Sequence, residues 1–127
     1  PFLPQAAAGI PRFWVDIYDL PTLIATKISA LLGRETARDV YDLDLLMATR
    51  KTPSVEQVHW AIGRAHLQAQ DALAVLRAHL EGLDWRRYQT ELRDSLPEET
   101  AARIDEQEWN ALRRRVGEYV SGLLPPP

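Results

Sequence analysis

The chain has 127 residues, 46% of them hydrophobic and 26% charged, with a formal net charge of −3. That length suits one domain with a sizeable core, and the mild negative charge gives no overall electrostatic case for nucleic-acid binding. The lack of cysteine excludes disulfides and thiolate metal sites, and no apolar run approaches the roughly 20 residues that span a bilayer, so we predict a cytoplasmic protein without a membrane span.

The first 18 residues combine an irregular segment with one strand. Residues 1–12 are rich in proline, alanine and glycine, which favours an irregular lead-in. Residues 13–18, FWVDIY, are β-prone and alternate between two faces, which is typical of a short strand. A single strand needs a partner, so we expect it to pair with the lead-in or with strands outside this chain. The chain begins with proline rather than methionine, which suggests a fragment or a processed product.

A helical hairpin is predicted over residues 20–49. Asp19 is a suitable N-cap, Pro21 fits the first turn, and apolar residues then recur at helical spacing as far as Gly33. Gly33 is the expected stop, since a left-handed residue is cheap there. A second helix is predicted to start near Thr36. Because the link between them is short, the two helices should be antiparallel neighbours.

The hairpin carries a charged cluster that apolar packing does not require: Lys27, Arg34, Arg38, Asp39 and Asp42. Lys27 and Arg34 share one flank of the first helix, and Arg38 and Asp42 are four residues apart and can pair. Lys27 and Asp39 lie off the apolar stripes. Spacing alone therefore favours caps and solvated ion pairs, each worth less than about 1 kcal/mol, at the turn end of the hairpin.

Residues 54–124 are predicted to form a helical scaffold. Ser54 caps its first helix, with Gln57 at the capping-box position. An alanine-rich apolar seam follows, as one long helix or two nearly collinear ones, with breaks expected at Gly63 or in residues 68–71.

The scaffold continues with a helix over residues 84–95, a loop over 97–101 and a last helix over 105–124, before a proline tail at 125–127. Residues 13–124 thus form one mainly α domain, a bundle of five to six helices with one short N-terminal strand.

Two sets of side chains invite functional interpretations but favour structural ones. Three histidines lack the four-residue spacing of a helical zinc pair, so we predict no metal site from His59, His66 and His79. Three tryptophans could stack on nucleobases, but each lies beside an apolar stripe, which favours packing anchors at Trp60, Trp85 and Trp109.

The segment K-I-S-A-L-L-G-R-E-T-A-R-D-V-Y-D-L, residues 27–43, resembles the K-x-x-A-x-x-x-R-x-x-x-R-D-x-x-D-L signature of the AbiEii/AbiGii toxin family. The positions that match in register are Lys27, Ala30, Arg34, Arg38, Asp39, Asp42 and Leu43. The resemblance implies the C-terminal half of a nucleotidyltransferase-like α/β protein, whose sheet lies upstream of the hairpin. It also implies a toxin of a bacterial toxin–antitoxin or abortive-infection system, with a cognate antitoxin as a partner.

The resemblance further implies a reaction and a site. Such enzymes transfer a nucleotide from an NTP, such as ATP, to an acceptor, which for some of these toxins is tRNA. The implied catalytic residues are Lys27, as the cationic hold on the phosphates, and Asp39, as a base or an orienter of the acceptor. Arg34, Arg38 and Asp42 would support that site or touch the nucleotide. Chemistry of this kind also needs a bound metal.

One departure from the family concerns that metal. The family's metal-binding half carries a Gly-Ser or Gly-Gly turn followed by a D-x-D strand, and this chain has neither. Its one similar string begins at Asp42, inside a predicted helix, where side chains two residues apart diverge by about 200°. We therefore expect Mg²⁺ in the intact enzyme, with its ligands outside this chain, and we expect the chain alone to be inactive.

An alternative of a different class is a non-catalytic helical interaction module. Its alanine-rich seam could bind an antitoxin or a second copy of the chain, giving a homo-oligomer. A D-x-D strand encoded upstream would favour the enzyme over this module.

Overall fold

The computed structural model describes residues 19–127, and this part of the chain is a helical bundle without strands. The mainly helical class predicted from the sequence is confirmed. The predicted lead-in and the strand over residues 13–18 lie outside the described residues. None of the described helices combines the length and the apolarity that crossing a membrane requires. The helices are α1 (Leu20–Gly33), α2 (Ala37–Met47), α3 (Val55–Arg64), α4 (Ala72–Gly82), α5 (Trp85–Glu91), α6 (Glu98–Arg103) and α7 (Glu106–Leu123), with short 3-10 helices at Ala69–Asp71 and Arg93–Ser95.

Helix α1 is the centre of the bundle. It packs against α2, α3 and α4, and its inner side chains Ile24, Ile28 and Leu31 are completely buried. Helix α7 closes the other side by packing against α2, α4 and α5. The hairpin that carries the charged cluster is therefore held on both sides by the scaffold, which fixes the relative positions of its side chains.

The hairpin forms where its local signals predict it. The Asp19 carboxylate accepts a hydrogen bond from the Thr22 amide at 3.2 Å, and a proline occupies the first turn of α1. The helix ends at Gly33 as predicted, but no glycine in residues 19–127 is left-handed. Instead the chain leaves α1 through an extended Arg34, with φ −154° and ψ 153°. The predicted stop is confirmed and its predicted backbone conformation is wrong.

The alanine-rich seam forms two helices rather than one. Ser54 and Gln57 make the predicted capping box at the start of α3. The break falls between the two predicted places, at His66, whose φ of 61° is left-handed. The His66 amide donates to the Gly63 carbonyl at 3.0 Å and the Leu67 amide to the Ile62 carbonyl at 3.2 Å, so these bonds end α3.

The predicted count of five to six helices is wrong, because the described residues contain seven. The additional helix is α6, which includes most of the segment predicted as a loop. Pro97 precedes it as the N-cap residue, Glu98 and Glu99 occupy the first turn, and Arg103 lies in the last turn. These charges suit the partial charges at the two ends of a helix, and proline is compatible with a helix start.

The tryptophans divide into packing anchors and an exposed ring. Trp109 is fully buried and donates from its indole nitrogen to the Leu83 carbonyl at 2.9 Å. Trp85 stacks on Tyr88 with 5.1 Å between the ring centroids. The packing prediction is wrong for Trp60, whose side chain remains 46% exposed.

Candidate functional site

The charged residues of the hairpin come together across α1 and α2. Lys27 Nζ lies 2.9 Å from Asp42 Oδ2, and Arg34 Nε lies 3.2 Å from Asp39 Oδ2. Arg38, one turn before Asp42, places its Nε 3.3 Å from the other oxygen, Oδ1. The predicted Arg38–Asp42 pair is therefore present, and Asp39 and Asp42 are also paired with cations from α1 and the turn after it.

The two carboxylates are buried, whereas their cationic partners reach the surface. Asp39 and Asp42 are each 1% exposed. The side chains of Lys27, Arg34 and Arg38 are 19%, 66% and 49% exposed. The prediction of solvated ion pairs is thus wrong for the carboxylates, because their three-residue spacing turns both toward the packed side of α2. Removing a partner from a buried carboxylate costs more than breaking a surface pair.

The turn between the helices is held by a cap from a distant helix. Thr36 occupies the N-cap position of α2 but makes no side-chain cap, since its hydroxyl donates to the Asp39 carboxylate. The Ala37 amide instead donates to Glu91 Oε1 at 3.2 Å, from α5. Arg87, also from α5, donates to the Glu35 carbonyl at 2.9 Å. Glu91 of the scaffold thus caps α2, while the Thr36 hydroxyl bonds to Asp39.

Sequence reasoning identified Thr36 only as a cap and did not identify Glu91. A threonine three residues before an aspartate is a local signal that could have suggested the Thr36–Asp39 contact. No such signal exists for Glu91, which is 54 residues from the amide it accepts from.

Replacing Glu91 with alanine should lower the free energy of unfolding by about 1 kcal/mol, as loss of a helix cap does. The Ala37 amide would lose its acceptor, and Arg87 would lose one of its two carboxylate partners. Urea unfolding followed by circular dichroism measures the change. Glu118→Ala, at an exposed position of α7, is the matched control and should change stability by less than about 0.5 kcal/mol. Equal effects of the two substitutions would contradict the cap assignment.

The surroundings of the site shift the pKa of two of its residues, Arg34 and Tyr41. The hydrogen bond and the charge of Asp39 raise the pKa of Arg34 above its ordinary value, which fixes the guanidinium in its charged form. The Arg38 guanidinium lies 5.8 Å from the centre of the Tyr41 ring, and burial raises the pKa of the Tyr41 hydroxyl. The site is therefore a set of three basic side chains around two buried carboxylates.

The described residues do not fit a magnesium site. In residues 19–127 no three histidine, aspartate or glutamate side chains are grouped so that they could hold a metal ion. Asp39 and Asp42 are already paired with cations, which a divalent ion would have to displace. Magnesium prefers an octahedral set of oxygen ligands that these residues do not offer.

The chain matches the sequence model of a known protein family. Residues 3–121 match the family model described as "Nucleotidyl transferase AbiEii toxin, Type IV TA system". No curated protein and no solved structure matches the chain. The matched range contains the whole helical hairpin with its charged cluster and nearly all of the scaffold.

Proposed function

The chain belongs to the AbiEii nucleotidyl transferase toxin family of type IV toxin–antitoxin systems, and from that premise we propose that its hairpin forms part of a nucleotidyltransferase active site. In the proposed reaction a hydroxyl of an acceptor such as tRNA attacks the α-phosphate of an NTP, such as ATP, so that the nucleoside monophosphate is transferred and pyrophosphate leaves. The observation that supports it is the convergence of Lys27, Arg34 and Arg38 on two buried carboxylates, within the segment that resembles the family signature.

Lys27 is the proposed hold on the phosphates. Its ammonium group is oriented by Asp42 Oδ2 at 2.9 Å, and its side chain remains 19% exposed. A cation fixed in advance beside transferring phosphate charge stabilises the transition state without reorganising at the moment of reaction. Arg38 pairs with the same carboxylate as Lys27, whereas Arg34 pairs with Asp39. Both arginines are more exposed than Lys27, so they are available to contact the nucleotide.

Asp39 is the proposed acidic group, acting as a base or as an orienter of the acceptor. Its carboxylate accepts hydrogen bonds from Arg34 Nε and from the Thr36 hydroxyl. These bonds hold the carboxylate in one orientation, as a group that aligns an attacking hydroxyl must be held. Asp42 then acts indirectly, by orienting Lys27 and Arg38.

Magnesium would neutralise phosphate charge in the intact enzyme. Since residues 19–127 offer no set of ligands for it, we propose that other residues bind it.

The purified 127-residue chain should transfer no nucleotide when mixed with Mg²⁺, radiolabelled NTPs and tRNA. The reason is that its sequence lacks the D-x-D strand on which the family's metal site is built. The measurement is label on the tRNA after electrophoresis, with a longer protein that contains such a strand as the positive control. Label transferred by the wild-type chain but not by its Asp39→Asn variant would show that the chain is a complete enzyme, contrary to this prediction.

Much of the alanine-rich seam that suggested the interaction-module alternative faces the core. Ala72 is fully buried, Ala65 and Ala69 are half-buried, and the helices α3 and α4 pack against α1. We retain the cognate antitoxin and the cytoplasmic location as proposals that follow from the family.

A further inference from the structure

A groove of about 450 Å³ lies between the C-terminal half of α1 and the end of α3. Its polar side chains are two arginines, one histidine and two hydroxyl groups, and within the described residues no acidic side chain borders it. The floor is made of small residues, since a methyl group on Gly33 would lie 3.9 Å from Ala65 Cβ. The polar residues that line it are Thr26, Ser29, Arg34, Arg64 and His66.

The groove is continuous with the candidate site through Arg34. This residue lines the groove and also places its Nε 3.2 Å from Asp39 Oδ2. Its side chain is 66% exposed, so the guanidinium can contact a ligand without leaving the carboxylate. A molecule lying in the groove would therefore contact Arg34, the arginine that is paired with Asp39.

Arg64, which lines the groove from α3, lies beside an exposed aromatic ring. The Arg64 guanidinium lies 5.5 Å from the centre of the Trp60 ring, and Trp60 is 46% exposed. An exposed tryptophan face beside an arginine can stack on a nucleobase, and such stacking does not depend on the identity of the base.

His66 occupies a backbone conformation that glycine adopts at less cost. Its φ is 61°, at the position that follows the C-cap of α3. Most helices that end in this way use glycine or asparagine there, because a larger side chain is disfavoured in the left-handed region. A histidine at this position presents an exposed ring at the groove. Backbone strain of this kind is commonly retained where the side chain has a function.

We propose that this groove binds a single-stranded polynucleotide. Arg64 and His66 contact its phosphates, Trp60 stacks on a base, and the strand leads past Arg34 toward Asp39. The inference builds on the proposed function, because it assigns a path to the acceptor strand, but binding can be measured without any transfer. Because the chain has a net charge of −3, the attraction for phosphates comes from the basic residues of the groove alone. Binding should therefore be weak and strongly dependent on salt.

In a simpler interpretation, Arg64 only stabilises the end of α3. Arg64 lies in the last turn of α3, where a positive charge offsets the partial negative charge of the terminal carbonyls. That interpretation predicts that substitutions change stability alone. The groove assignment predicts that they change binding while the fold remains stable.

The test is fluorescence anisotropy of a fluorescein-labelled single-stranded oligoadenylate titrated with the wild-type chain and its variants. Trp60→Leu should weaken binding by about 5- to 150-fold, the loss expected for one stacked base. Arg64→Gln should weaken binding and reduce the slope of log K against log salt by about 0.7, the value for one phosphate contact on a single strand. Arg86→Gln, which removes the same charge from an exposed position of α5, is the matched control and should leave binding unchanged.

His66→Gly separates binding from folding. Glycine relieves the left-handed strain, so the thermal midpoint should stay the same or rise while oligoadenylate binding weakens. A lower midpoint with unchanged binding would assign His66 to the helix end and overturn its role in the groove.

Two further outcomes would overturn the proposal. One is oligoadenylate binding that survives both Trp60→Leu and Arg64→Gln in folded proteins. The other is self-association that Trp60→Leu abolishes while oligoadenylate binding persists, which would assign this face to a protein contact. Lys27→Ala should leave oligoadenylate binding intact, so failure of the transfer proposal and failure of the groove proposal give different results.

Discussion

Lys27→Ala should lower nucleotide transfer by the intact protein by about a hundred- to a thousandfold, and should abolish growth arrest in a toxin assay. The lysine would supply positive charge where phosphate charge shifts in the transition state, and one such fixed contact is commonly worth about 3 to 4 kcal/mol. Transfer of label from an NTP to tRNA measures the effect, and circular dichroism checks that the helical fold is retained.

The matched control for this substitution is Lys51→Ala. Lys51 is exposed in the loop after α2. The Tyr119 hydroxyl donates a hydrogen bond to the backbone carbonyl of Lys51, which the substitution would leave in place. Its replacement should leave transfer unchanged. The Lys27→Ala protein itself should lose about 2 kcal/mol of stability, since among residues 19–127 the buried Asp42 would keep only Arg38 as a charged partner. Full growth arrest by a folded Lys27→Ala protein would reject the proposed role of the lysine.

Asp39→Asn should also abolish transfer in the intact protein, with the shape of the site retained. Asparagine keeps an oxygen that can accept from the Thr36 hydroxyl but removes the charge and the basicity of the carboxylate. We expect a stability loss of about 2 kcal/mol, because Arg34 donates to the same oxygen and its hydrogen bond loses the charge of the acceptor. Arg34 is 66% exposed and can be hydrated again, so the fold should survive.

Asp94→Asn is the matched control for this charge change. Asp94 is exposed in the short 3-10 helix after α5, outside the charged cluster, and its replacement should affect neither transfer nor stability. Unfolding of the Asp39→Asn protein would show that the pair with Arg34 serves the fold. Normal transfer by a folded Asp39→Asn protein would remove Asp39 from the proposed chemistry.

The same contacts could serve the fold and the reaction, and the two substitutions distinguish these roles. The pairs Lys27–Asp42 and Arg34–Asp39 join α1 and its following turn to α2. If the pairs only hold the hairpin, transfer should fall in proportion to the unfolded fraction. If they form the site, transfer should fall by orders of magnitude in proteins whose unfolding midpoints are above the assay temperature.

Local signals in the sequence were sufficient to place most helix ends. Asp19 and Ser54 cap α1 and α3 as predicted, and α7 starts at the predicted Asp105, because each cap is a hydrogen bond from an amide three residues away. Spacing also predicted the Arg38–Asp42 pair, because the two residues are four apart on one helix. It did not say that Lys27 would meet Asp42 and that Arg34 would meet Asp39.

Other features depended on which helix covers which face. The burial of Asp39 and Asp42, the cap that Glu91 supplies to α2 and the exposure of Trp60 all follow from contacts between distant segments. Periodicity gives the face on which a side chain lies, but not whether another element packs over that face. The ion pairs that spacing predicted as solvated are therefore anchored on buried carboxylates, a difference that only the tertiary structure could decide, because burial changes the cost of leaving a charge without a partner.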